Sequence, residues 1–203
     1  MEFSQYRYLV RSDLYRIAGE VKFSALLKEL RENESFQYIF WMRTCRFTKK
    51  HPVLRFFVFP IAAVMLRKYM YKYGIAIPYT TEIDAGFYVG HFGGIVVNGL
   101  SKIGKNCNLS HGVTLGKANR GKNAGYPTIG DHVYIGPGAK IVGAVKVGNH
   151  AAIGANCVVT KDVPEHAVVV GIPGRVISYQ GSKDYVNYTD YEDKISPAGE
   201  VVS

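Results

Sequence analysis

Cysteine is scarce in this chain of 203 residues: there are 3, an odd number without paired spacing. That excludes a disulfide framework and a cysteine metal cluster, and it leaves the site readings without a metal. A long apolar run is also missing. The longest candidate, Val53 to Leu66, is broken by Arg55 and Pro60 and is too short to span a bilayer. The first ten residues contain no apolar region ending in a cleavage site, so no signal peptide is read and a cytoplasmic location is expected. Acidic residues are absent from Ser35 to Thr81, a stretch that carries Arg43, Arg46, Lys49, Lys50, Arg55, Arg67, Lys68 and Lys72 among many aromatics.

The formal charge of +9 is correspondingly uneven. Residues 1–73 hold 14 Lys and Arg against 6 Asp and Glu, whereas the remainder holds 11 against 10. A nucleic-acid partner would want its basic stripe on the folded binding surface, so none is expected from the nearly neutral remainder. Two readings of the basic aromatic stretch stay open. One is a buried helix pair covering the end of the following domain. The other is a surface in peripheral contact with anionic lipid at the inner face of a membrane.

What the chain has in abundance is a period of six. Ile83, Val89 and Ile95 are followed by Ile103, Leu109 and Leu115, then by Ile129, Ile135, Ile141, Val147, Ile153 and Val159. Four positions after most of these comes a second compact residue, among them Cys107, Val113, Ala139, Val145, Ala151 and Cys157. Six fits neither the 3.6-residue helix nor a lone strand alternating every two. It fits short strands joined by tight turns, three to a triangular coil, each giving one aliphatic to a shared interior. Two steps depart from six. Extra residues lie near Asn98 to Ser101, and a polar loop, Lys117 to Pro127, leaves the coil where repeat proteins often place function.

This pattern, over roughly Tyr73 to Val176, resembles the hexapeptide-repeat acyltransferases. The expected fold is therefore mainly β: a left-handed parallel β-helix at 74–177, preceded by a helical N-terminal segment at 1–73 and followed by a loosely held tail at 178–203. If Val89, Leu109, Ile135 and Ile153 stack, so do His91, His111, Pro137 and Ala155, with backbones about 4.8 Å apart. A neutral histidine is an economical base for taking a hydroxyl proton. For His51, His132, His150 and His166 an ordinary structural role is expected.

The string Tyr88 to Val97 is similar to the catalytic segment of serine acetyltransferases, and Leu109 to Gly116 to the coil that follows it there. The resemblance implies a homotrimer with sites between adjacent β-helices and acetyl-CoA as co-substrate. It puts His91 on the general base, with His111 as a second active-site residue or a structural neighbour. It implies Pro137, Ala155, Thr160, Lys161 and Arg175 for the coenzyme, and Phe92 and Tyr126 for the acceptor. Ala76, Gly90, Gly125 and Tyr126 stand where the serine enzymes carry acidic or Arg-His groups. A free amino acid needs partners for its ammonium and carboxylate. On that ground the acceptor expected is a hydroxyl of a sugar or lipid-linked glycan in surface polysaccharide assembly, with L-serine as the alternative. The rivals are a scaffold that binds no acetyl-CoA and, more weakly, a metal-dependent hydrolase of the same fold.

Overall fold

The computed structural model describes residues 1–196. Five helices come first: α1 (Phe3–Ala18), α2 (Phe23–Glu32), α3 (Glu34–Lys49), α4 (Pro52–Phe57) and α5 (Phe59–Tyr73). Their limits follow local chemistry. Asn33 caps α3 by accepting from the Phe36 N–H at 2.9 Å. Proline opens α4 and α5, where its missing N–H costs nothing. Gly74 ends α5 at φ 62°, a left-handed conformation that turns the chain into the first strand. The expectation of a mainly β chain is thus corrected, because the helical third is a substantial layer of its own.

Short strands then wind through three sheets. Sheet A holds β1 (Ile75–Ala76), β4 (Ile95–Val97), β7 (Thr114–Gly116), β10 (Lys140–Val142) and β13 (Val158–Val159). Sheet B holds β2 (Glu82–Ile83), β5 (Lys102–Ile103), β8 (Thr128–Ile129) and β11 (Lys146–Val147). Sheet C holds β3 (Tyr88–Val89), β6 (Asn108–Leu109), β9 (Tyr134–Ile135), β12 (Ala152–Ile153), β14 (Val168–Val170) and β15 (Arg175–Ser178). All neighbours are parallel except β14 and β15, whose antiparallel pairing closes the coil. Up to β13 every third strand lies in the same sheet, so three strands complete one turn of a parallel β-helix.

The six-residue series fills its interior. Ile95, Leu109, Leu115, Ile135, Ile141 and Ile153 are fully buried, as are the compact residues Cys107, Val113, Ala139, Val145, Ala151 and Cys157. Removal of this much apolar surface from water is the main force holding the coils together. At the open end the core continues into Tyr38, Ile39, Met42, Ala62 and Leu66 of α3 and α5. Tyr38 also completes a strand edge: its hydroxyl donates to the Ile77 carbonyl at 2.8 Å and accepts from the Ile77 N–H at 3.0 Å. The helix pair therefore caps the first coil, as the first of the two readings expects.

A second tie is ionic. Asp13 of α1 accepts from Arg43 of α3 at 2.9 and 3.2 Å and from the Phe87 N–H at 2.8 Å. Arg43 reaches on to the Ile83 and Asp84 carbonyls at 2.6 and 2.7 Å. Burial pushes the Asp13 carboxyl up, and Arg43 and the Phe87 N–H oppose that push. The tail is less loose than expected. Tyr191 and Ile195 are buried and pack with Leu9 and Tyr15 of α1, because two large side chains gain burial there that a solvated tail would forgo. Residues 197–203, the end of that expected tail, lie outside the described residues.

Candidate active site

The three corners of the coil carry different chemistry. Between sheets C and A the pairings Val89 with Leu109, Leu109 with Ile135 and Ile135 with Ile153 set the register. His91, His111, Pro137 and Ala155 therefore occupy successive levels of one corner. The backbone knits the levels together: Gly112 N–H donates to Gly93 O at 2.7 Å, Gly138 N–H to His111 O at 2.9 Å, and Asn156 N–H to Pro137 O at 2.7 Å. Gly112 and Gly138 adopt φ values of 69° and 72°, and each backbone lies close under the next.

His91 and His111 are exposed, with ring centroids 6.1 Å apart and planes inclined at 66°. Among the described residues neither ring has a hydrogen-bonded carboxylate. Both imidazoles are open to solvent at the corner. Phe92 is half-exposed beside them, its ring 5.4 Å from Tyr73 of α5. The Tyr73 hydroxyl donates to Gln37 at 2.6 Å, which fixes the aromatic shelf next to His91.

Two positions of this corner were not singled out in the sequence. Tyr73 is one. Lys140 is the other: its amino group donates to the Gly112 carbonyl, directly after the His111 turn. A lysine opening the strand after the Gly138 turn is the available signal, and nothing in its spacing distinguishes it from a solvated repeat lysine.

The corner between sheets A and B carries the inserted loop. Ala118 and Gly125 form an antiparallel bridge, and Asn123 donates to the Thr160 carbonyl at 2.7 Å. Lys117 lies 5.6 Å from the Tyr126 ring centroid. Thr160, Lys161 and Arg175 line one cleft of about 210 Å³ at the end of the coil. The candidate residues thus divide. His91, Phe92, His111, Pro137 and Ala155 share one corner, whereas Tyr126, Thr160 and Lys161 share another, with the outer face of sheet A between them.

The third corner, between sheets B and C, holds His132, His150 and His166 at φ 56°, 57° and 58°. Their rings stack at 4.8 and 4.9 Å. Parallel stacking turns their nitrogens away from any common point, and among the described residues no group of three or more His, Cys, Asp or Glu could hold a metal. His51 lies elsewhere, its Nε2 2.9 Å from the Met1 carbonyl and its ring 4.4 Å from Phe47. The three cysteines are free and buried, with burial pushing the Cys107 thiol up to about 12.

Residues 126–161 match the family model described as bacterial transferase hexapeptide (six repeats), in the part of the chain that forms the triangular coils. The similar proteins bear one name. The serine acetyltransferase of Bacillus pumilus is 42% identical over 125 residues, which cover 61% of this chain and 58% of that protein. That of Mycobacterium tuberculosis is 43% identical over 104 residues, covering 51% and 45%. The solved serine acetyltransferase of Brucella abortus in complex with coenzyme A is 26% identical with a TM-score of 0.72, covering 88% of this chain and 70% of that one. The chain spans about half the length of the curated relatives it matches.

These relatives overturn the expected sugar hydroxyl of polysaccharide assembly, and with it the lipid-linked acceptor. A group missing at one position is not a missing interaction, because a carboxylate or ammonium can be met by a different side chain. The inner-membrane reading finds no support among the relatives either. Among the described residues no helix is long and apolar enough to cross a membrane.

Proposed function

We propose that the chain is an acetyl-CoA-dependent serine O-acetyltransferase with His91 as general base. The observation that carries this is the exposed His91–His111 corner in a chain whose named relatives are serine acetyltransferases. In the reaction the serine hydroxyl oxygen attacks the thioester carbonyl carbon while His91 takes the hydroxyl proton. The tetrahedral intermediate then collapses, the carbon–sulfur bond breaks, and the coenzyme leaves as a thiol with the proton returned by His91. His111, on the next level, is placed to hold the acceptor or the developing oxyanion.

The coenzyme would lie along the face bounded by the two candidate corners, with Pro137 and Ala155 on one side and Thr160 on the other. Lys161 and Arg175 supply cations for its phosphates. The division of candidate residues between two corners also supports a homotrimer. In such a ring the Lys117 to Pro127 loop of one copy, with Tyr126, can approach the histidine corner of the next, which it does not share within its own chain.

The test is thiol release from acetyl-CoA with L-serine present and absent. His91→Ala is expected to lower the rate by about 10²–10⁴-fold, the range for loss of a positioned base. Absence of serine-dependent release in the wild-type protein would refute the reading.

A further inference from the structure

Two arginines are buried between α1 and the first coils, and they are satisfied unequally. Arg43 is paired with both oxygens of Asp13 and with two carbonyls. Arg16, only 3% exposed, donates from Nε to the Gly86 carbonyl at 3.2 Å and from Nη2 to the Asn108 side-chain oxygen. Its guanidinium lies 5.7 Å from the Tyr88 ring centroid. None of these partners is an anion. Asp13 acts on Arg16 from a distance, but its oxygens are engaged by Arg43 and by the Phe87 N–H.

With Asp13 ionised, the Asp13, Arg16 and Arg43 cluster carries one positive charge in excess. A buried cation is costly unless something of opposite sign meets it.

Something can. A cleft of about 150 Å³ opens beside Arg16, lined also by Tyr88, Asn108, Tyr185, Asn187 and Tyr188. Its rim offers phenols and amides and contains no carboxylate. The Asn108 amide nitrogen donates to the Tyr185 carbonyl at 2.8 Å, so the same asparagine orients Arg16 and anchors the far wall. We infer that this cleft binds a small carboxylate, held by Arg16. The charge selects a monoanion, because it cancels the single excess charge where a dianion would reverse it. The cleft is small, which favours a compound of a few heavy atoms. An occupant would join α1, the strand leading into the His91 corner and residues 185–188.

The experiment is thermal melting of the whole protein titrated with sodium acetate, sodium L-lactate, sodium phosphate and sodium chloride at constant ionic strength. A saturable rise with acetate or lactate is expected, and none with phosphate or chloride. Arg16→Gln should weaken the carboxylate effect about ten- to a hundredfold, the loss of one charge-assisted hydrogen-bonding partner. Asn187 is exposed at the rim, so Asn187→Ala should weaken the effect while leaving the unliganded melting temperature in place. That variant decides the matter if Arg16→Gln does not fold. His91→Ala should keep the full effect. No saturable rise with either carboxylate, a preference for phosphate, full retention in the folded rim or Arg16 variants, or loss in His91→Ala would each overturn the site.

Discussion

Replacement of Asp13 by alanine should unfasten the helical layer from the β-helix. The substitution leaves Arg43 with 1% exposure and no carboxylate, and it orphans the buried Phe87 N–H. Breaking a buried pair by removing one partner costs about 3–5 kcal/mol, because the surviving charge stays desolvated. Against a total stability of about 5–15 kcal/mol that is a large share. With an m-value of about 2.5 kcal/mol/M it corresponds to a urea midpoint lower by about 1–2 M. The informative assay is a double-mutant cycle by urea melting with Arg43→Met. If the pair is the cause, Asp13→Ala/Arg43→Met should lose less than the two single costs added, since no charge is then left unpaired. A cost below about 1 kcal/mol for Asp13→Ala, or strictly additive costs in the cycle, would refute the reasoning.

Gly138 has φ 72°, and a Cβ there would lie 2.0 Å from Asn156 Oδ1. Gly138→Ala should therefore cost at least about 1–3 kcal/mol, read by thermal melting, and lower the acetyl-transfer rate through the displaced His111 corner. Burial, and then His150, hold the His132 imidazole below its ordinary value of 6.5. The unfolded chain then binds more protons, so His132 adds stability above about pH 6.5 that is lost as pH falls. His132→Asn, tolerated in the left-handed conformation that Asn106 adopts one level before it in the same corner, should flatten the urea midpoint between pH 7 and pH 5. All three thiols are buried; a disulfide-exchange reagent should modify them only after unfolding, and prompt reaction of Cys107 in the native protein would contradict the assigned core.

The β-helix was legible because its information is local and repeated. Each hexad specifies its own strand, inward aliphatic and turn, and the register that stacks Val89, Leu109, Ile135 and Ile153 follows by counting. The histidine corner came with it, since two residues beyond a stacked aliphatic is again a stacked position. The Asp13–Arg43 pair was not legible, being 30 residues apart in sequence and without a period that relates one helix to another. The docking of Tyr191 and Ile195 on α1 was hidden for the same reason. Their composition reads as tail, and only the apolar surface of α1 makes burial worthwhile.

Acceptor specificity lies between these extremes. The departures Ala76, Gly90 and Gly125 were read correctly as residues, and they remain the chemical difficulty for a serine acceptor. Its ammonium and carboxylate must be matched by groups other than those positions supply. Within one chain the histidine corner offers two imidazoles, an aromatic shelf and the Lys140 amino group, which the Gly112 carbonyl engages; none of these is an anion for the serine ammonium. In the trimer proposed above such partners would come from the neighbouring copy, and the Lys117 to Pro127 loop, with Lys117, Arg120 and Lys122, is a polar segment that leaves the coil. If it closes the site from the neighbouring copy, Arg120→Ala should raise the KM for serine with little change in kcat. An inactive His91→Ala subunit mixed with an inactive loop variant should then regain activity in hybrid trimers, whereas a site complete within one chain would give no such rescue.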